Sequence, residues 1–142
     1  MSKQIDPRGP RFGAVVTTVV VAIALLLLPS TTTYALLTIQ LIAHGLGAFV
    51  GLSAQPYGIL YRKLVAPRLA KPTELEDEAP PKFAQLVGFI FAAAGLAALA
   101  LDQVAVAQVI VALHLAASFL NAAFNFCLGC QMYLIGKRIA TK

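Results

Sequence analysis

The sequence predicts an all-α polytopic membrane protein: a four-transmembrane-helix bundle forming a single domain over residues 1–142, with both ends in the cytoplasm. Three observations carry this. Of 142 residues 59% are apolar and only 12% charged, against roughly 25% charged in an average soluble domain. Four apolar runs are long enough to cross a bilayer, and all eleven Lys and Arg fall between or beyond those runs.

The polar opening MSKQIDPRGPR gives way at Phe12 to an apolar run ending at Leu28, at the short end of what a spanning helix needs. No small-x-small cleavage site with a soluble domain behind it follows, so this run is expected to stay as an anchor. After the polar link of residues 29–33, a second span is expected over 34–54, apolar apart from Gln40, His44 and a few small residues. Residues 55–82 carry five prolines, four acids and five bases and are expected to form a surface loop. A third span is expected over 83–101, and Asp102-Gln103 makes a second tight link. The last apolar stretch runs from Val104 to about Ile135, beyond the roughly 20 residues a bilayer core requires. Its spanning part is placed at 104–126 with a cytoplasmic extension, so this helix should project, tilt or break.

Basic residues flanking spans are retained in the cytoplasm. Lys3, Arg8 and Arg11 precede the first span, Arg62, Lys63, Arg68, Lys71 and Lys82 lie in the long loop, and Lys137, Arg138 and Lys142 follow the last. The two short links carry none. One orientation in the inner (plasma) membrane, with both termini inside, therefore satisfies every charge. The net charge of +5 does not indicate nucleic acid, because the basic residues are not gathered on a face with base-reading groups among them.

Within the long loop, Tyr57, Leu60, Tyr61 and Leu64 recur at helical spacing beside Arg62, Lys63 and Arg68. That is the pattern of a short interfacial helix, either a docking platform for a partner or anionic lipid, with Tyr57, Tyr61, Arg62 and Arg68 as contacts, or a helix that lies in the headgroups. The run Glu74–Glu78 reads as a solvated charge cluster, since consecutive carboxylates diverge on a helix.

Cys127 and Cys130 in FCLGC are the only cysteines. A C-x-x-C pair can close a disulfide ring or put two thiolates on a soft metal ion. A four-ligand zinc site within one chain is not expected, because both histidines lie in distant apolar spans, although a dimer would supply four thiolates. Counting about 1.5 Å per residue from Val104 places the pair at the cytoplasmic boundary of a roughly 30 Å core. Gly129 between them lowers the cost of a bend or of an approaching backbone.

Inside the spans an ionisable or amide group needs a partner or a purpose. His114, Ser118, Asn121 and Asn125 share one face of the fourth helix, and Gln40, His44, Gly47 and Gly51 share one of the second. Each histidine lies about ten residues from the outer end of its expected span, so the two should reach similar depth. One reading is a shared ligand on His44 and His114, either haem through two axial imidazoles or a quinone through hydrogen bonds. The other is interhelical hydrogen bonding, with Gly47 and Gly51 allowing close packing. On a straight helix the cysteines project away from the His114 stripe, and a relay between them would need a break near Gly129.

The segments DPRGPRF, PYGILYRKLVAPRL, EDEAPPKFAQLVGF and FLNAAFNFCLGCQMY together resemble a bacterial membrane family, abundant in actinobacteria, classed as a domain of unknown function. The resemblance covers nearly the whole chain. It implies a four-helix membrane protein, sometimes encoded near thioredoxin-like proteins or sulfurtransferases.

The functional expectation is a thiol-disulfide or sulfur-handling membrane protein. Cys127 attacks, Cys130 resolves, and a soluble thioredoxin-like or rhodanese-like protein is the partner. Two alternatives stand beside it: a non-catalytic subunit or assembly factor of a larger membrane complex, and, as a homo-oligomer, a transporter of a small sulfur species or metal.

Overall fold

The computed structural model describes residues 3–142. Among the described residues, four helices are long and apolar enough to cross a membrane. They are α1 (Arg8–Leu26), α2 (Thr31–Gly45, continued by a π-helical turn Leu46–Val50), α4 (Ala79–Ala100) and α5 (Val104–Phe124). Between α2 and α4 lies the short α3 (Pro56–Leu60), which runs on through a π turn Tyr61–Val65 and a 3-10 turn Ala66–Arg68. A last helix, α6 (Leu128–Ala140), follows α5. The strand β1 (Gln4–Ile5) pairs antiparallel with β2 (Glu76–Asp77), tying the N-terminal tail to the long connection. The protein is thus an all-α helical bundle whose apolar helices meet lipid.

α1, α2 and α4 begin before their apolar runs do. Pro80 and Pro81 sit in the first turn of α4, where a missing N–H costs nothing because those donors have no intrahelical acceptor anyway. At the opposite end, Ser30 caps α2 by accepting from Thr33 N–H at 3.2 Å, and the Thr33 hydroxyl donates to the Ala24 carbonyl at 2.9 Å. Asp102 takes a left-handed conformation (φ 56°), and Gln103 N–H closes onto the Ala98 carbonyl at 2.8 Å. Around these two links the helices pack an apolar core of Val21, Ala24, Leu37, Ala98, Leu99, Ala107 and Val111.

The last apolar stretch breaks rather than projecting. α5 stops at Asn125, which adopts the left-handed conformation (φ 54°, ψ 31°), tolerated by Asn because its short polar side chain lowers the usual penalty. Arg11 Nε reaches the Ala122 carbonyl at 3.2 Å, satisfying one of the acceptors that a helix end leaves open. The break therefore falls at Asn125, before the cysteines. Gly129 lies inside α6, where it serves packing: a Cβ there would stand 2.6 Å from Ala84 Cα and 2.7 Å from Ala84 Cβ, so only glycine lets α6 lie against α4. Phe83 and Tyr133, rings 5.9 Å apart, extend that contact.

Candidate functional site

The half of the bundle nearer the termini is polar where the other half is apolar. Gln40, fully buried on α2, donates through Nε2 to Tyr57 Oη at 2.8 Å and accepts from the Thr17 hydroxyl at 3.5 Å. One turn on, Oε1 of Gln85 on α4 meets Nδ1 of His44 at 2.8 Å. An amide oxygen can only accept, so the His44 proton sits on Nδ1 and Nε2 is left as an acceptor. The His44 and His114 rings lie 5.3 Å apart, and His114 stacks on Phe91 at 5.5 Å with a 13° interplanar angle. Both histidines are more than nine-tenths buried. His44 Nε2 and His114 Nδ1 have no hydrogen-bond partner among the described residues. Gly88 makes room for this arrangement, since a Cβ there would stand 2.8 Å from the His44 ring.

Both rings line a cavity of about 320 Å³, whose wall also includes Gln85, Ser118, Asn121 and Cys127. A helix break is what brings Cys127 to it. Cys127 takes the N-cap position of α6, and its Sγ accepts from Cys130 N–H at 3.2 Å. The two cysteines form a disulfide with Cα atoms 5.2 Å apart. A C-x-x-C pair opening a helix puts its first sulfur among unpaired amides at the positive end of the dipole, where negative charge on that sulfur is favoured.

The expected stripe on the fourth helix divides. His114, Ser118 and Asn121 face the cavity, with the Ser118 hydroxyl donating to the Leu115 carbonyl at 3.0 Å. Asn125 does not; it is exposed and ends the helix. Gly47 faces the polar network, where a Cβ would stand 2.8 Å from Gln85 Cγ and 3.0 Å from Gln55 Cγ. Gly51 (φ 138°) forms the left-handed exit from α2.

Haem does not suit the histidine pair. Two axial imidazoles hold a macrocycle between them, whereas these ring centroids lie only 5.3 Å apart, tilted 49° to each other, with Phe91 stacked on His114 and Gly88 against His44. No slot for a porphyrin separates them.

The expected docking surface also needs correcting. Tyr57 and Tyr61 are buried, 7% and 3% exposed, and their hydroxyls are used within the chain. Tyr61 Oη donates to Asp6 at 2.8 Å, and Arg8 both pairs with Asp6 at 2.9 Å and reaches the Ala70 carbonyl at 3.0 Å. The amphipathic pattern identified the helix correctly, but its aromatic face turns onto α1 rather than outward. Arg62 and Arg68 remain on the exposed side, bound to the carbonyls of Ser53 and Leu64. The acidic run is likewise not fully solvated. Glu76 and Asp77 form β2, and Asp77 accepts from Ala79 N–H at 2.8 Å. Partial burial pushes the Asp6 carboxyl up, but hydrogen bonds from Arg8 and Tyr61 outweigh it and hold Asp6 below its ordinary value. Burial, and then the Asp6 charge, push Glu76 up. A second cavity of about 290 Å³ lies beside this lock, and Pro10, Gly13, Gln55 and Gln85 line both cavities.

A known family profile matches residues 5–138, from the tail strand into the last turn of α6, and is described as Domain of unknown function (DUF4395). The chain belongs to this family. The DUF4395 match therefore takes in the Asp6–Arg8–Tyr61 lock, the histidine pair and the cysteine pair together. No curated protein and no solved structure matches the chain. Sequence reasoning missed Gln85 and Gly88. Gln85 had a signal, an amide entering an apolar span, whereas the need for Gly88 arises only from the ring across the interface.

Proposed function

We propose that the protein is a membrane-embedded thiol-disulfide or sulfur-exchange protein of the plasma membrane. In this reading the termini and long connection face the cytoplasm, as the basic residues require. A soluble thioredoxin-like or rhodanese-like protein is the exchange partner. The observation that carries the proposal is the position of the cysteines: a disulfide at the first turn of α6, its Cys127 sulfur held as the N-cap acceptor beside a cavity. In the disulfide state, a partner thiolate attacks one sulfur, the other leaves as thiolate, and a second partner thiol releases the oxidised partner. In the reverse direction Cys127 attacks a partner disulfide or persulfide sulfur, and Cys130 resolves the mixed intermediate.

The test is to trap that intermediate. Cells expressing Cys130→Ser should accumulate a disulfide-linked adduct between Cys127 and a thioredoxin-fold or sulfurtransferase protein, absent with Cys127→Ser. Absence of any adduct from a membrane-inserted Cys130→Ser protein would contradict the proposal.

A further inference from the structure

The cavity beside Cys127 has features that thiol exchange alone does not use. Two imidazoles line it, each with a ring nitrogen lacking a partner among the described residues, at a depth where polar groups without partners are costly. Its lining includes Leu113 and Met132, each 54% exposed on the outer surface of the bundle, and Leu128 at 39%. The cavity thus reaches the lipid-facing surface between α4, α5 and α6. Its volume of about 320 Å³ lies within the range of small-molecule sites. An occupant should therefore enter from the bilayer, be largely apolar, and carry oxygen atoms that hydrogen-bond to imidazole. Being next to a disulfide, it should also exchange two electrons.

Resting on the exchange reading above, we infer that this cavity binds the headgroup of a membrane quinone, which reoxidises the reduced Cys127–Cys130 pair. Overall, one dithiol and one quinone become one disulfide and one quinol. Two S–H bonds break and the S–S bond forms, two electrons pass to the quinone ring, and the two protons end on its two oxygens. His44 Nε2, an acceptor, suits a quinol hydroxyl. His114 suits a quinone carbonyl in the tautomer that protonates Nδ1. Only Cys127 of the pair lines the cavity, so it is the sulfur that faces the quinone, while Cys130 closes the disulfide behind it.

The experiment uses the purified full chain, reduced, desalted without oxygen, and mixed with a decyl-substituted benzoquinone or with glutathione disulfide. Quinone absorbance and thiol alkylation are followed together. The expected result is one quinone reduced for each disulfide formed, with His44→Leu and His114→Leu each slowing the quinone reaction about tenfold, as for loss of one hydrogen bond to the ligand. A photoreactive azidoquinone, used on the unaltered protein, should label α5 near His114 or α6 near Met132. A wild-type pair oxidised by glutathione disulfide but inert to quinone would overturn the inference and leave the exchange reading standing. A pair inert to both would overturn both. Undiminished quinone reduction in the two histidine variants, or labelling confined to the α1–α2 link, would overturn the assigned site.

Discussion

The two ends of the bundle solve opposite problems. At the short-link end, Val21, Leu37, Val111 and their neighbours are packed and apolar, and the few polar groups, such as Thr33 on the Ala24 carbonyl, close helix ends. At the terminal end the helices surround two cavities, and a buried polar network runs from Thr17 through Gln40 to Tyr57, and from His44 to Gln85. Lipid is as apolar as Leu, so helix association in a bilayer rests on contact and hydrogen bonding. The first end relies on contact and the second on hydrogen bonding, which leaves the second free to enclose space beside the cysteines. Reactive groups are found where packing has been given up.

Two substitutions separate the ends. Gly129→Ala forces a Cβ against the Ala84 backbone, and overpacking of this kind costs about 3 kcal/mol. Because the contact positions α6, the variant should lower the Tm in detergent and also change the rate at which the reduced cysteines react with a maleimide. Leu37→Ala, at a fully buried position in the packed end, should cost about 2 kcal/mol, mainly lost dispersion contacts. It should leave the maleimide rate unchanged. A Leu37→Ala protein with altered cysteine reactivity would show that the ends are not separate.

A smaller effect should come from the lock outside the membrane. Tyr61→Phe removes the hydrogen bond to Asp6 and should cost about 1 kcal/mol at neutral pH. The pH dependence follows from the direction of the Asp6 shift. Its folded value lies below the ordinary 3.8, so its stabilisation is present above 3.8 and is lost as pH falls through the folded value. Glu76 is shifted the other way from 4.5, so its contribution is present below 4.5 and is lost as pH rises through the folded value. Thermal unfolding from about pH 3 to pH 7 should show a shallower acid loss in Tyr61→Phe than in the unaltered chain. Identical curves would remove the lock from the account.

The bundle was legible because hydropathy and the placement of basic residues report directly on burial in lipid. The excess length after Val104 leaves projection, tilt and a break equally open, and fixes no position for any of them. A relay from the His114 stripe to the thiols needs a break near Gly129, yet the residue that turns is Asn125, and Gly129 is reserved for Ala84. The equal offset of His44 and His114 anticipated that two rings would share a depth. It said nothing of Gln85 or Phe91, which fix their orientation from α4. The spacing of Tyr57 and Tyr61 identifies a helix face without saying whether lipid, water or protein covers it. Asp6, over 50 residues away in sequence, supplies that information only once the chain has folded.

Function turns on Cys127 and Cys130 working as an exchanging pair. The direct measurement is the product formed when the reduced full chain reacts with glutathione disulfide, read by intact mass. An intramolecular disulfide with no glutathione retained is predicted, because the Cys130 thiol stands one helical turn from Cys127 and displaces any adduct there. A persistent glutathione adduct on Cys127, or thiols that stay reduced, would contradict it.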